Sequence, residues 1–144
     1  MKTDLRKVLS ISGEQGLFIY LSQAKAGAIV ENVATKRRTS FGLNARMTSL
    51  SDISIYTEEE EIKLQDVFEK MKANLGENDA PGKSDQKLLR EFFEQVLPDY
   101  DRDRFYVSHM KKVVEWYNIL KNGASLDFLT EKDVEAAAEQ STGE

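Results

Sequence analysis

The hydrophobic periodicity of the chain changes near residue 63, and this change constrains the fold more than any other feature. Before that point, aromatic and β-branched residues occur in short runs between polar turns, which is typical of strands. These runs cover residues 16–22, 28–34, 39–43 and 53–55, with a short fifth run starting at Ile62. After residue 63, apolar residues recur three and four positions apart, the period of an amphipathic helix. The sequence therefore predicts an α+β protein, with strands first and helices second.

The N-terminal runs predict a small antiparallel β-meander. Short polar turns join them at residues 23–27 and 35–38, and a single helical turn is expected over residues 49–52. Consecutive glutamates at 58–61 are expected to form the tip of a further hairpin. A meander of about five strands could also close into an SH3-like barrel, because closure removes exposed sheet edges. The segment before the first run, residues 4–9, is expected to form a helical turn.

The first amphipathic helix is predicted over residues 64–75 and is expected to end at Gly76. Residues 77–83, with the sequence ENDAPGK, predict a linker because Asn, Asp, Pro and Gly interrupt regular structure. The sequence therefore indicates a β-rich domain over residues 1–76 that ends in an amphipathic helix. A helical domain is expected over residues 84–144.

The helical domain is predicted to contain about three helices. Ser84 is a suitable N-cap for the first of these, and Pro98 is expected to stop it. Ser108 is expected to cap the second helix, and Gly123 is expected to end it in the left-handed conformation. A last helix is predicted over residues 131–139, followed by a frayed tail.

The composition excludes several classes of protein. The sequence has 144 residues, of which 40% are hydrophobic and 31% charged, as in soluble globular proteins. It contains no cysteine, which excludes disulfides, thiolate metal sites and thiol catalysis. No apolar run approaches the roughly 18 residues needed to span a bilayer, and no signal-peptide block is present at the N-terminus. We therefore expect a cytoplasmic protein that has no membrane partner and no cofactor.

The charges are distributed unevenly along the chain. Residues 1–57 hold 8 basic and 4 acidic side chains, whereas the remainder holds 12 basic and 21 acidic ones. The basic half could neutralise the acidic half within one molecule or across a dimer, or it could meet an anionic partner. Its basic side chains Lys36, Arg37, Arg38 and Arg46 are candidates for binding nucleic acid, with strand aromatics stacking on bases. The simpler interpretation is that these aromatics form the core and that the basic turn is only solvated.

The segment LPDYDRDR contains three aspartates, Asp99, Asp101 and Asp103, at the opening spacing of a calcium loop. A calcium loop also needs a glycine at its sixth position and a glutamate at its twelfth, but Arg104 and Met110 stand there. We therefore expect a structural corner in which the aspartates pair with arginines or cap the next helix. No metal site is expected.

The single histidine, His109, is the natural candidate for a general base. A base of this kind needs a nucleophile and an orienting carboxylate within reach, and the neighbouring Ser108 cannot face it on a helix. We expect His109 to be a structural or surface residue at the start of a helix. No catalytic residue is predicted, and the protein is not expected to be an enzyme.

The second half of the chain is rich in aromatic residues, most of which are expected to form the core. Aromatic side chains at the border of such a core suit a protein–protein contact. The candidates for this contact are Tyr100, Tyr106 and Trp116. The function predicted first is therefore a non-catalytic binding or adaptor protein with a protein partner or with itself as partner. The alternative is a nucleic-acid-binding module that uses the basic turn.

Several short motifs, taken together, resemble those of a known family. They are GAIVE at residues 27–31, the turn at 35–38, DISIYT at 52–57, LPDYDRDR at 97–104, YVS at 106–108 and WYN at 116–118. The family consists of small bacterial proteins described only as a domain of unknown function. The resemblance covers the chain to about residue 129. It implies an N-terminal β-rich part and a C-terminal helical part, and it supplies no catalytic or binding residues.

Overall fold

The computed structural model describes residues 3–42, 44–82 and 84–128. It is an α+β fold in which a five-stranded antiparallel sheet and a two-stranded hairpin precede three helices. The strands are β1 (Val8–Ile11), β2 (Phe18–Ala24), β3 (Gly27–Asn32), β4 (Arg38–Gly42), β5 (Met47–Ser49), β6 (Ser54–Tyr56) and β7 (Glu61–Lys63). The helices are α1 (Leu64–Leu75), α2 (Gln86–Val96) and α3 (Val107–Gly123). A 3₁₀ turn, Leu50–Asp52, confirms the single turn expected there.

The five N-terminal strands form an open sheet in the order β4-β3-β2-β1-β5. Strands β2, β3 and β4 are the first three predicted strands and pair as a meander, whereas β1 is not among the predicted strands and β5 returns to pair with β1 on its other side. The predicted fourth and fifth strands, β6 and β7, pair with each other as a separate hairpin. A bulge between Tyr20 and Ser22 interrupts the pairing of β2 with β3 and allows the sheet to bend. The closed SH3-like barrel is not formed among the described residues. Closure is not needed to bury the sheet, because the helices cover one of its faces.

The helical turn expected over residues 4–9 is wrong, because Val8 and Leu9 already belong to β1. The apolar side chains in this segment alternate between the two faces of the sheet. Leu5 and Val8 contact the helices, whereas Leu9 and Ile11 lie on the opposite face. A few apolar residues within so short a segment fit a strand as well as a helical turn, so the sequence did not distinguish the two.

Two hydrophobic clusters lie on the two faces of the sheet. The larger one joins both halves of the chain, since Val8 of β1 packs with buried residues of all three helices, as do Leu17, directly before β2, and Val33, directly after β3. The smaller cluster consists of Leu9, Ile11, Phe18, Ala28 and Val30, with Phe41 and Met47 packed against it. Phe18 and Phe41 meet edge to face at 5.6 Å between ring centroids. These strand aromatics are therefore packed against each other.

The helix boundaries agree with the predicted ones to within a few residues. Helix α1 covers the predicted residues, and Gly76 follows it with a positive φ of 61°. The N-cap of α2 is Asp85, whose carboxylate accepts a hydrogen bond from the Leu88 backbone at 3.1 Å. Ser84 is therefore not the cap. Helix α3 begins one residue before Ser108, with Tyr106 as its N-cap.

Gly123 ends α3 for a different reason from the one expected. It does not adopt the left-handed conformation, and the residue after the helix is Ala124. A Cβ on Gly123 would lie 2.6 Å from the carbonyl oxygen of Val33, so the absent side chain allows the helix to approach the sheet. The helix predicted over residues 131–139 and the tail that follows it lie outside the described residues.

The predicted linker is held firmly against α3. Asn118 Oδ1 accepts a hydrogen bond from the Ala80 backbone at 2.8 Å, and its Nδ2 donates to the Ala80 carbonyl at 3.3 Å. Lys121 pairs with Asp79 at 2.9 Å. The segment therefore packs as part of the fold. The division of the chain into domains at residues 77–83 stays a prediction.

Candidate functional site

The basic turn between β3 and β4 is a rigid structure. Asn32 Oδ1 accepts hydrogen bonds from the backbones of Ala34 and Thr35 at 2.9 and 3.0 Å. Lys36 follows with a positive φ of 64°, which few residues other than glycine adopt. Its ammonium group donates a hydrogen bond to the carbonyl of Gly123, at the C-terminal end of α3. Lys36 therefore joins the sheet to the helix.

The other predicted nucleic-acid-binding residues do not converge on Lys36. Arg38 lies across the strand pair from Glu31 and forms an ion pair with it at 3.6 Å. Arg37 is exposed and has no acidic partner among the described residues. Arg46 directly precedes β5, which forms the edge of the sheet opposite β4. Within the described part of the chain, Arg37 is therefore the arginine of this turn that has no ion-pair partner.

The second group of candidate residues lies where the β6–β7 hairpin meets the connection between α2 and α3. We call this surface the aromatic corner and define it as Tyr56, Tyr100, Arg102, Arg104 and Tyr106. Two backbone hydrogen bonds hold its two segments together: Glu58 donates to Asp99 at 2.8 Å, and Asp101 donates to Tyr56 at 2.9 Å.

Asp101 organises the turn at the aromatic corner. Its carboxylate accepts hydrogen bonds from the Asp103 backbone at 2.9 Å and from Arg104 Nε at 2.7 Å. The bond from Arg104 is the main reason that the pKa of Asp101 is lowered from its ordinary value. This arrangement confirms the predicted structural corner. Across the described ranges, no group of three or more His, Cys, Asp or Glu residues could hold a metal ion.

Both arginines of the aromatic corner stack on tyrosine rings. The Arg104 guanidinium lies 4.4 Å from the centroid of the Tyr56 ring, and that of Arg102 lies 4.3 Å from the Tyr100 ring. Arg102 also donates to the Tyr100 carbonyl at 2.9 Å. Stacking and hydrogen bonding together restrict the rotamers of these long side chains. The corner is therefore preorganised.

The tyrosines differ strongly in exposure. Tyr106 is 56% exposed and Tyr56 is 37% exposed, whereas Tyr100 is only 4% exposed. Trp116, which was expected at the border of the core, is buried at 9%. Of the three predicted protein-binding residues, only Tyr106 is at the surface. The sequence analysis missed Tyr56, although the alternation around the buried Ile55 directs it outward.

His109 forms part of the cap of α3. Its Nδ1 accepts a hydrogen bond from the Tyr106 backbone at 3.2 Å, which requires the imidazole proton to lie on Nε2. The ring is parallel to that of Phe105, with centroids 6.3 Å apart. The role that the structure gives to His109 is thus to fix Tyr106 at the start of the helix.

A separate groove of about 410 Å³ lies beside the basic turn. Its walls come from one face of α3, from Ala34 and from Pro81 and Gly82. Asn118, which lines it, is already bound to the backbone of Ala80. Tyr117, on the buried side of α3, is fully enclosed, and its hydroxyl has no hydrogen-bond partner within the described part of the chain. Burial raises the pKa of this hydroxyl.

Comparisons with known proteins agree with this two-part architecture. The model named Domain of unknown function (DUF5606) matches residues 5–50, and Domain of unknown function (DUF6852) matches residues 53–120. No curated protein matches the chain. None of the helices in the described ranges is both long enough and apolar enough to cross a membrane.

A solved structure is similar over most of the chain. It is a solution NMR structure of a protein from Bacteroides vulgatus, determined by a structural genomics consortium, with 35% identity and a TM-score of 0.70. The similarity covers 88% of this chain and 98% of the other. The chain therefore belongs to the family of proteins that combine these two domains of unknown function, the first β-rich and the second helical.

Proposed function

We propose that this protein is a non-catalytic, cytoplasmic binding or adaptor protein and that its aromatic corner contacts a protein partner. The observation that carries the proposal is the exposure of Tyr56 and Tyr106 beside two arginines that are held in place by stacking. Tyrosine and arginine are the residue types that, with tryptophan, contribute most to binding at protein interfaces.

Preorganisation supports the same proposal. A side chain that is ordered only on binding loses about 0.5–1.5 kcal/mol of conformational entropy. Arg104 is already fixed between Tyr56 and Asp101, and Tyr106 is the residue whose backbone His109 binds. The aromatic corner therefore presents a surface that loses little entropy when a partner docks.

Acidic side chains surround the aromatic corner and indicate the charge of the partner. Residues 58–61 are glutamates, and the adjoining turn contributes Asp99, Asp101 and Asp103. These seven carboxylates outnumber the two arginines of the corner. Complementary charge speeds association and excludes partners of like charge. A partner with a basic rim around an apolar centre fits this surface best.

The proposal is tested by capture from cytosol of the native source on immobilised protein, with nuclease treatment. The double variant Tyr56→Ser plus Tyr106→Ser is expected to reduce capture of a specific protein roughly tenfold or more, the effect of losing a central anchor. The matched control is Tyr20→Ser plus Leu88→Ser, which removes exposed apolar side chains at other places. Equal capture by both variants, or no captured protein, would contradict the proposal.

The alternative function is nucleic-acid binding at the basic turn. The hydrogen-bonded backbone of the turn favours it, as does the exposed Arg37, whose side chain has no acidic partner in the described ranges. Binding of generic RNA or DNA should then weaken steeply with salt and should be lost in Arg37→Ala plus Arg38→Ala. Absence of binding at low salt would exclude this alternative.

A further inference from the structure

The free edge of the five-stranded sheet is formed by β4, the segment RTSFG. Four of its five residues are exposed, and Phe41 is half-buried. Edge strands are normally protected by lysine, proline, a bulge or a very short length. The opposite edge, β5, is only three residues long, and Ser49 at its end bonds to the carbonyls of Leu5 and Arg6. Strand β4 contains no proline, its only charged residue is Arg38, which forms an ion pair with Glu31 of β3, and its register with β3 is continuous.

The hydrogen-bond pattern shows which backbone groups of β4 face outward. Asn32 donates to the carbonyl of Arg37 at 2.8 Å, so this pair is hydrogen-bonded. Bonded and non-bonded pairs alternate along an antiparallel ladder. The pairs of Arg38 and Ser40 with β3 are therefore non-bonded, and their N–H and C=O groups point away from the sheet. No strand among the described residues pairs with this outer edge.

We propose that this edge binds a second copy of the chain, with β4 pairing antiparallel to β4 about a twofold axis at Ser40. Ser40 then faces Ser40 of the other copy as a bonded pair, and Arg38 faces Gly42. The outward groups of Arg38 and Ser40 find donors and acceptors in the same strand of the other copy. The dimer joins two five-stranded sheets into one sheet of ten strands.

The side chains of β4 suit this register. Like charges directly opposite each other destabilise a sheet, but each arginine here faces glycine. Thr39 faces Phe41 of the other copy, so that the half-exposed phenylalanine gains an apolar neighbour. A shift of register by two residues either way would leave outward groups unpaired. The strand is therefore complementary to itself, which favours a second copy over an unrelated peptide.

This inference does not depend on the aromatic corner, since β4 lies in the sheet and the corner lies around the start of α3. A dimer through one short strand pair is weak. The test is the mass of the full chain by sedimentation velocity from roughly 10 μM to roughly 1 mM, the range in which weak contacts become saturated. The mass is expected to rise from that of one chain towards that of two.

The decisive variant is Ser40→Pro. The N–H of Ser40 is not used by β3, so proline removes only the outward donor, and edge strands tolerate proline in this orientation. The variant should remain monomeric throughout the range, while Ser40→Thr, which keeps the N–H, should dimerise like the unmodified chain. If the unmodified chain stays monomeric, or if Ser40→Pro dimerises equally, the inference is wrong.

Hydrogen exchange gives a second measurement that does not need a variant. The amide of Ser40 should exchange freely in the dilute monomer and become protected as concentration rises. The amide of Thr39, which belongs to a bonded pair with Val30, should be protected at both concentrations. A Ser40 amide whose exchange does not change with concentration would overturn the proposal, even where Ser40→Pro fails to fold.

Discussion

The two ends of α3 use charged residues in opposite ways. At the C-terminal end, Lys36 binds the carbonyl of Gly123 and Arg38 forms an exposed ion pair with Glu31, so two of the three cations of the basic turn have partners within the fold. At the N-terminal end, Arg102 and Arg104 lie over tyrosine rings, and two tyrosines remain at the surface. The basic side chains at residues 36–38 are thus mostly used in contacts within the fold. The aspartates and arginines at residues 99–104 instead form part of a preorganised surface.

The difference follows from what each end of a helix needs. The last carbonyls of a helix lack partners within it and attract cations, so a lysine nearby is used there. At the start of α3, the N–H groups of His109 and Met110 donate to the carbonyl of Tyr106, and His109 Nδ1 accepts from the N–H of Tyr106. The arginines at that end are not needed by the helix and remain available to stack.

The largest loss of stability is expected where the end of α3 contacts the segment between β3 and β4. A side chain at Gly123 would collide with the backbone of Val33, which cannot move without disturbing the sheet. Gly123→Val should therefore lower the free energy of unfolding by about 3 kcal/mol, as overpacked cores do. Gly82→Ala is the matched control, because no atom lies within 4 Å of a Cβ added there. Urea denaturation of both variants measures the difference in the free energy of unfolding. Equal stability would show that the end of α3 does not lie close to the backbone of Val33.

The next largest effect is expected at the other end of α3. His109→Ala removes the acceptor for the Tyr106 N–H and should cost about 1 kcal/mol of stability, the usual worth of a helix cap. His109→Gln should recover most of this loss, because glutamine at the same position can reach back to that N–H. Urea denaturation tests both variants. If His109→Gln were no more stable than His109→Ala, the contribution of His109 to stability would come from the packing of its ring on Phe105 and not from the hydrogen bond.

A smaller effect is expected from Lys36. Its ammonium group lies at the exposed C-terminal end of α3, where a cation contributes about 0.3–1 kcal/mol. Lys36→Met should lose this amount, whereas Arg37→Met should leave the free energy of unfolding unchanged. Thermal denaturation at low and high salt is the suitable measurement, because salt screens the interaction. If the two substitutions changed stability equally, Lys36 would contribute no more to the fold than the exposed Arg37.

Local patterns predicted most elements of the fold, but not β1 or β5. The switch of periodicity near residue 63 located α1 to the residue, and the polar turns located the meander. Strand β5 and the end of α3 depended on contacts that the pattern does not contain. Strand β5 has three residues and forms only because β1 offers an edge. Gly123 was explained by local conformation, but the observed reason is its approach to Val33, which is 90 positions away.

The candidate surface was predicted only in part. Tyr106 was identified as a border aromatic, but the same reasoning selected Tyr100 and Trp116, which the folded chain buries. Aromatic content alone does not reveal exposure. Tyr56 could have been found from strand alternation. Its stacking with Arg104 could not, because the two are brought together by the pairing of the hairpin with the α2–α3 connection.

The smallest effect, and the sharpest test of the preorganised corner, is the pH dependence of stability. Arg104 lowers the pKa of Asp101 below its ordinary value in the folded chain. The unfolded chain therefore takes up this proton more readily, so the stabilisation is present above the ordinary carboxyl pKa and is lost as the pH falls through it to the lower folded value.

Asp101→Asn should consequently make the protein less sensitive to acid. The loss of unfolding free energy between about pH 6 and about pH 3 should be smaller in this variant than in the unmodified chain, as measured by urea denaturation. Asp103→Asn removes the same charge from the same turn but not the acceptor for Arg104 Nε, so it serves as the control. If both variants changed the acid sensitivity equally, net charge and not the Asp101–Arg104 bond would explain the effect. The arginines of the aromatic corner would then be held by stacking alone. The corner would differ from the basic turn in how its side chains pack, and the Asp101–Arg104 ion pair would have no part in the difference.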